Sequence, residues 1–163
     1  MGVIIFPCIV KNKIGELTDK DKYAELQEKC ENEDLAIITL DDEYLSSPFD
    51  VGYYSAVGQE PCVSISYGTY DDFRCALEDM EDETESYNGG FNTTLTSGGI
   101  DNCVSYKIAK EMLSEFEAHL ECAKGYFYKR FGEDYGEFIW GNYKRYIDVL
   151  KECCKVKGIV RYY

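Results

Sequence analysis

Residues 61–80 read Pro61-Cys62-Val63-Ser64-Ile65-Ser66-Tyr67-Gly68-Thr69-Tyr70-Asp71-Asp72-Phe73-Arg74-Cys75-Ala76-Leu77-Glu78-Asp79-Met80, and their hydrophobic period changes part-way along. Val63, Ile65 and Tyr67 alternate with Cys62, Ser64 and Ser66, the pattern of a half-buried strand. Tyr70, Phe73, Leu77 and Met80 then recur at three or four residues, the spacing of one helix face. Thr69 is the expected N-cap. Asp71 and Asp72 then fall in the expected first turn, where carboxylates meet the positive end of the helix dipole.

Toward the N-terminus, residues 2–10 and 34–40 are apolar, β-branched runs of strand length. Between them Thr18 and Asp21 open a segment in which Tyr23, Leu26 and Cys30 recur at helical spacing. Residues 41–60, with Asp41-Asp42, Ser46-Ser47-Pro48, Gly52 and Gly58, read as loop with one turn of helix. Toward the C-terminus, Asn88-Gly89-Gly90 and Ser97-Gly98-Gly99 bracket a β-prone piece, Phe91–Thr96. Ile108, Met112, Phe116, Leu120 and Ala123 predict a long helix that ends or bends at Gly125. Tyr135, Ile139, Tyr143, Ile147, Leu150 and Cys154 predict a second, with Gly158 as its C-cap and residues 159–163 as a terminal strand. This order of elements predicts an α+β fold: one domain over 1–163, a mostly antiparallel sheet with helices packed on one face, and two long C-terminal helices.

The chain has 163 residues, with 17 Lys and Arg against 31 Asp and Glu, a formal net charge of −14. That balance argues against direct nucleic-acid binding and against docking on an anionic membrane, since both need cations to meet phosphates. No run reaches the roughly 18 apolar residues of a membrane span, and the apolar start at Met1–Val10 lacks the basic residues and cleavage site of a signal peptide. The expectation is a cytoplasmic protein whose eight cysteines are reduced. There is no C-x-x-C, and adjacent Cys153 and Cys154 point about 100° apart on a helix, so no metal is expected there.

The usual catalytic and nucleotide-binding signatures are missing, so no cofactor and no catalytic residue is assigned. Gly89-Gly90 and Gly98-Gly99 could nest an anion, yet no Lys or Arg lies between residues 75 and 106 to hold it. Asp79–Glu85 lacks the glycine of a calcium loop. His119, the single histidine, lies three residues from Cys122 but shares an apolar edge with Phe116 and Leu120, which favours a packed structural histidine over an activated thiol pair.

Tyr67-Gly68-Thr69-Tyr70 with Phe73-Arg74, Gly98-Gly99-Ile100-Asp101-Asn102, Lys107-Ile108-Ala109-Lys110 and Gly158-Ile159-Val160 form a spaced pattern over about residues 67–163. The pattern resembles that of a group of small bacterial and phage proteins with no established activity. The resemblance implies a shared fold and a bacterial or phage origin. Where that group tends to carry Ser-Asp-Cys-Glu, this chain has Thr94-Leu95-Thr96-Ser97, so no chemistry of such a cluster carries over.

Charge distribution is the most informative remaining feature. Between Asp71 and Glu85 eight acids face the single Arg74, whereas from Lys124 onward nine basic residues outnumber five acidic ones. Such a lopsided field steers a basic partner. The 15 tyrosines add large amphipathic contacts of the kind enriched at binding surfaces. The expected function is therefore that of an acidic binding protein, of inhibitor, immunity or phage anti-defence type, that occludes a basic surface of a partner protein. Its expected contact residues are Asp71, Asp72, Glu78, Asp79, Glu81, Asp82 and Glu83, with Tyr70 and Tyr87 as aromatic anchors. The alternative is a small-molecule binder or enzyme with a pocket around Arg74, using Tyr67, Asn92, Asn102 and Lys107. Arg74 is the one basic residue between Lys29 and Lys107, so if buried it needs a carboxylate or a ligand.

Overall fold

The computed structural model describes residues 2–83 and 90–163, and of Glu81, Asp82 and Glu83 only the helical backbone. The fold is α+β. Its spine is β1, Gly2–Gly15, which pairs antiparallel on one side with β3 (Gly52–Gly58) and β4 (Val63–Ser66), and on the other with β6 (Ile159–Tyr162). With β2 (Ala36–Leu40) beside β3 and β5 (Cys103–Ser105) beside β6, the order is β2-β3-β1-β6-β5, every pair antiparallel.

Alternation along these strands builds two separate cores. Val3, Ile5, Val63, Ile65, Val160 and Tyr162 face the large one, which helices cover; Cys8, Ile38, Leu40, Tyr54, Ala56 and Ile159 line the other face of the curled sheet. The covering helices are α3 (Tyr67–Glu83), α4 (Asn92–Ser97), α5 (Tyr106–Ala118), α6 (Leu120–Phe131) and α7 (Glu133–Val156). Helix α1, Tyr23–Asn32, follows a 3-10 turn at Lys20–Lys22 and packs its Cys30 with Ile37 and Tyr53 in a third cluster; α2 is the single turn Glu43–Ser46. No helix among the described residues is long and apolar enough to cross a membrane.

Several local expectations are corrected. Residues 52–58 form a strand instead of loop, because Tyr53, Tyr54, Ser55 and Ala56 are all buried and period-two polarity is erased. Phe91–Thr96 is not β: α4 forms there although threonine favours strands, since contacts at both its ends override propensity. The first long helix is broken at His119, whose φ of −102° and ψ of 4° separate α5 from α6, while Gly125 lies inside α6. Three late helices therefore stand where two were expected.

At the end of α7 the left-handed residue is Lys157, φ 50°, in place of the expected glycine. Gly158 is required for another reason: a Cβ there would run into the Cys8 carbonyl of β1. Helix α3 starts at Tyr67, two residues before the expected cap, because the Ser66 hydroxyl accepts from Thr69 N–H at 3.1 Å. Asp71 and Asp72 consequently lie beyond the first turn.

Six tyrosines, Tyr53, Tyr54, Tyr70, Tyr143, Tyr146 and Tyr162, are buried in the core. Tyr143 donates to the Phe116 carbonyl at 2.6 Å, Tyr70 to the Gly98 carbonyl at 2.6 Å, and the hydroxyls of Tyr146 and Tyr162 bond each other. Each hydroxyl thus enters the core with a partner, which removes most of the desolvation cost of burying it.

All eight cysteines are free. Burial pushes the Cys8 thiol up to about 12 and the Cys103 thiol up to about 11, from an ordinary 9.0. The unfolded chain releases these protons above its ordinary value, whereas the folded chain keeps them. The stability these two thiols contribute is therefore complete below pH 9 and is lost as pH rises toward 11 and 12. Urea melts should show a level midpoint from about pH 7 to 8.5 and a progressive fall by about pH 10.5; a midpoint that rises over that interval contradicts the burial of these thiols.

Candidate functional site

Helix α3 turns one face to the core and one to solvent. Tyr70, Phe73, Ala76, Leu77 and Met80 are buried, while Asp71, Asp72 and Glu78 are exposed and Asp79 is partly so. At about 100° per residue, Asp71 and Glu78 fall on one line and Asp72 and Asp79 on a neighbouring line. Four of the expected contact acids thus share the outward ridge of one helix.

The two lines differ in what meets them. Asp72 accepts from the Tyr135 hydroxyl of α7 at 2.8 Å, and Asp79 pairs with Arg130 of α6. Asp71 and Glu78 form no ion pair among the described residues. The side chains of Glu81, Asp82 and Glu83, and the whole of Tyr87, lie outside what is described. Tyr70 is not a surface anchor: it is 4% exposed, because its hydroxyl reaches inward to Gly98.

Beside the Asp71 line lies an open cleft of about 490 Å³, lined by Tyr67, Gly68, Tyr70, Asp71, Arg74, Gly99 and Ile100. Tyr67 and Ile100 are 41% and 42% exposed, unusual for large apolar side chains. On the opposite flank, Tyr135 stacks on Phe138 with centroids 6.0 Å apart, and Phe138 is 49% exposed. At Asp71 and Asp72 the acidic ridge therefore has an apolar shoulder on each flank. Phe138 and Ile100 were missed by sequence reasoning, although Phe138 sits off the Tyr135-Ile139-Tyr143 stripe and that displacement was its signal.

The cleft wall is held by α4. Glu115 of α5 accepts from Thr93 N–H at 2.6 Å, Thr94 N–H at 2.9 Å and the Thr94 hydroxyl at 2.6 Å, which satisfies the helix N-terminus with a carboxylate. At the other end Arg74 donates to the Leu95 carbonyl at 2.6 Å and to the Gly98 carbonyl. Arg74 also lies 5.8 Å from the Tyr70 ring centroid. Its cation is balanced by helix carbonyls, a partner outside the expected choice of carboxylate or ligand.

Of the residues grouped with Arg74 beforehand, Tyr67 shares the cleft, while Asn92, Asn102 and Lys107 do not line it. The Asn102 amide donates to the Ser97 carbonyl at 3.1 Å, the Asn92 carbonyl accepts from Thr96, and Lys107 is exposed at the start of α5. His119 is buried, with Nδ1 2.8 Å from the Glu115 carbonyl and its ring 4.5 Å from that of Phe91. It is packed, as its place on the apolar edge predicts. No cluster of His, Cys, Asp or Glu among the described residues is arranged to hold a metal.

No protein-family model matches this chain, and no curated protein and no solved structure matches it either.

Replacing Glu115 with Ala leaves two backbone N–H groups and one hydroxyl without their charged acceptor. The expected loss is about 2 kcal/mol of unfolding free energy, with Glu115→Gln losing roughly half as much. Denaturant titration of the three proteins checks this, and an Ala variant as stable as the parent contradicts the cap.

Proposed function

We propose that this protein is a nonenzymatic, cytoplasmic binding module of inhibitor or immunity type, phage anti-defence proteins included, and that α3 presents its acidic ridge to a basic surface of a partner protein. The observation that carries the reading is the pair of exposed carboxylates that form no ion pair among the described residues, Asp71 and Glu78, with Asp71 beside the Tyr67–Ile100 cleft and its neighbour Asp72 bonded to Tyr135 of the Tyr135–Phe138 shoulder. Carboxylates there supply steering and register, and the shoulders supply apolar contact once water leaves.

Local charge supports it further. Arg74 is the one basic residue between Lys29 and Lys107, and two of its donors are committed to α4. The negative field of the ridge is thus left nearly uncompensated on its own stretch of chain. The same commitment leaves the small-molecule alternative a cleft that Arg74 still lines, with two of its five N–H donors already used.

The probe is a synthetic amphipathic peptide of alternating lysines and leucines with one tryptophan, titrated into the isotopically labelled full chain. Amide shifts are expected at Tyr67, Asp71, Cys75, Glu78 and Ile100, with affinity falling as salt rises from about 50 to 300 mM. The double reversal Asp71→Lys with Glu78→Lys should weaken binding by about tenfold or more. The same reversal at Glu25 and Glu28, exposed on α1, controls for net charge and should cost far less. Equal effects from the two reversals, or shifts centred away from α3, overturn the reading.

A further inference from the structure

A second groove lies between α1, the start of β2 and the end of β6. It encloses about 320 Å³ and is lined by Tyr23, Glu31, Leu35, Ile37, Arg161 and Tyr163, among others. Arg161 is partly buried there, and among the described residues its guanidinium forms no ion pair, in a chain with 31 carboxylates. Among the described residues its one hydrogen bond is long, Nη1 to the Ile37 carbonyl at 3.4 Å, and its Cζ lies 5.1 Å from the Tyr163 ring centroid. A bond of that length gives up little when exchanged for a better acceptor.

We propose that this groove binds a small aromatic monocarboxylate, with the ligand carboxylate seated on the Arg161 guanidinium and its ring against Tyr163 and Tyr23. The planar fork of arginine offers paired N–H groups that match the two oxygens of a carboxylate. The groove volume suits a ligand of one ring, at the lower end of the range for small-molecule sites. Charge disfavours a dianion: with Glu31 already in the same lining as Arg161, a phosphate adds two negative charges where a carboxylate adds one, in a chain already at −14. The site is independent of the α3 ridge, which lies on other elements.

Benzoate, benzamide and inorganic phosphate titrated separately into the labelled full chain test the assignment. Benzoate should shift the Ile37, Arg161 and Tyr163 signals with a Kd of about 1 mM, and benzamide and phosphate should bind at least about tenfold more weakly. Arg161→Gln should abolish benzoate binding. Arg161→Lys, which keeps the charge and loses the fork, should weaken it by about tenfold. Benzamide or phosphate binding as tightly as benzoate overturns the proposal, as do shifts centred outside the groove or an Arg161→Lys variant that binds like the parent. If Arg161→Gln does not fold, the ligand comparison on the parent chain and the Lys variant still decide.

Discussion

Helix α4 is a six-residue helix gripped at both ends by opposite charges from neighbouring helices. Alone, so short a helix would not form, because nucleation consumes more conformational entropy than its few hydrogen bonds return. Glu115 supplies the anion at its positive end and Arg74 the cation at its negative end, so the two complement its dipole. Three helices, α3, α4 and α5, are thereby tied together, and the Gly98–Ile100 backbone is brought against α3. The cleft beside the acidic ridge exists because of that tie.

The arrangement also explains how a strongly acidic chain can bury its lone central cation. An arginine in a partly buried site needs acceptors, and helix carbonyls provide them without using a carboxylate. The carboxylates of α3 are consequently left outward. Tyr70 and Gly98 complete the arrangement: the tyrosine hydroxyl shares the Gly98 carbonyl, and a side chain at Gly98 would press on the Tyr162 and Tyr146 hydroxyls at 3.0 and 3.2 Å. Packing, capping and surface charge are thus settled by the same few residues.

Much of this was legible in the residues themselves. Period-two and helical stripes located β1, β2, β4, α3 and the late helices, because each is buried on one side or flanked by turn residues. Strand β3 escaped because both of its faces are buried, and α4 because its stability comes from Glu115 and Arg74, 18 or more residues away in either direction along the chain. The break at His119 escaped because the apolar stripe from Ile108 to Ala123 runs on through it. On the candidate surface, the acids of α3 could be placed on a ridge from their spacing. Which tyrosines stay outside could not, since exposure of Tyr67 and burial of Tyr70 depend on where α4 ends.

Helix α4 behaves as one unit held from both ends, and a double-mutant cycle on Arg74→Ala and Glu115→Ala measures that directly. The two side chains grip opposite ends of the helix, so independent contributions would sum to within about 0.5 kcal/mol. If α4 melts when either grip is lost, the second substitution costs much less than it does alone, and a coupling of about 1 kcal/mol or more is expected. Simple additivity of the two losses would contradict the clamp.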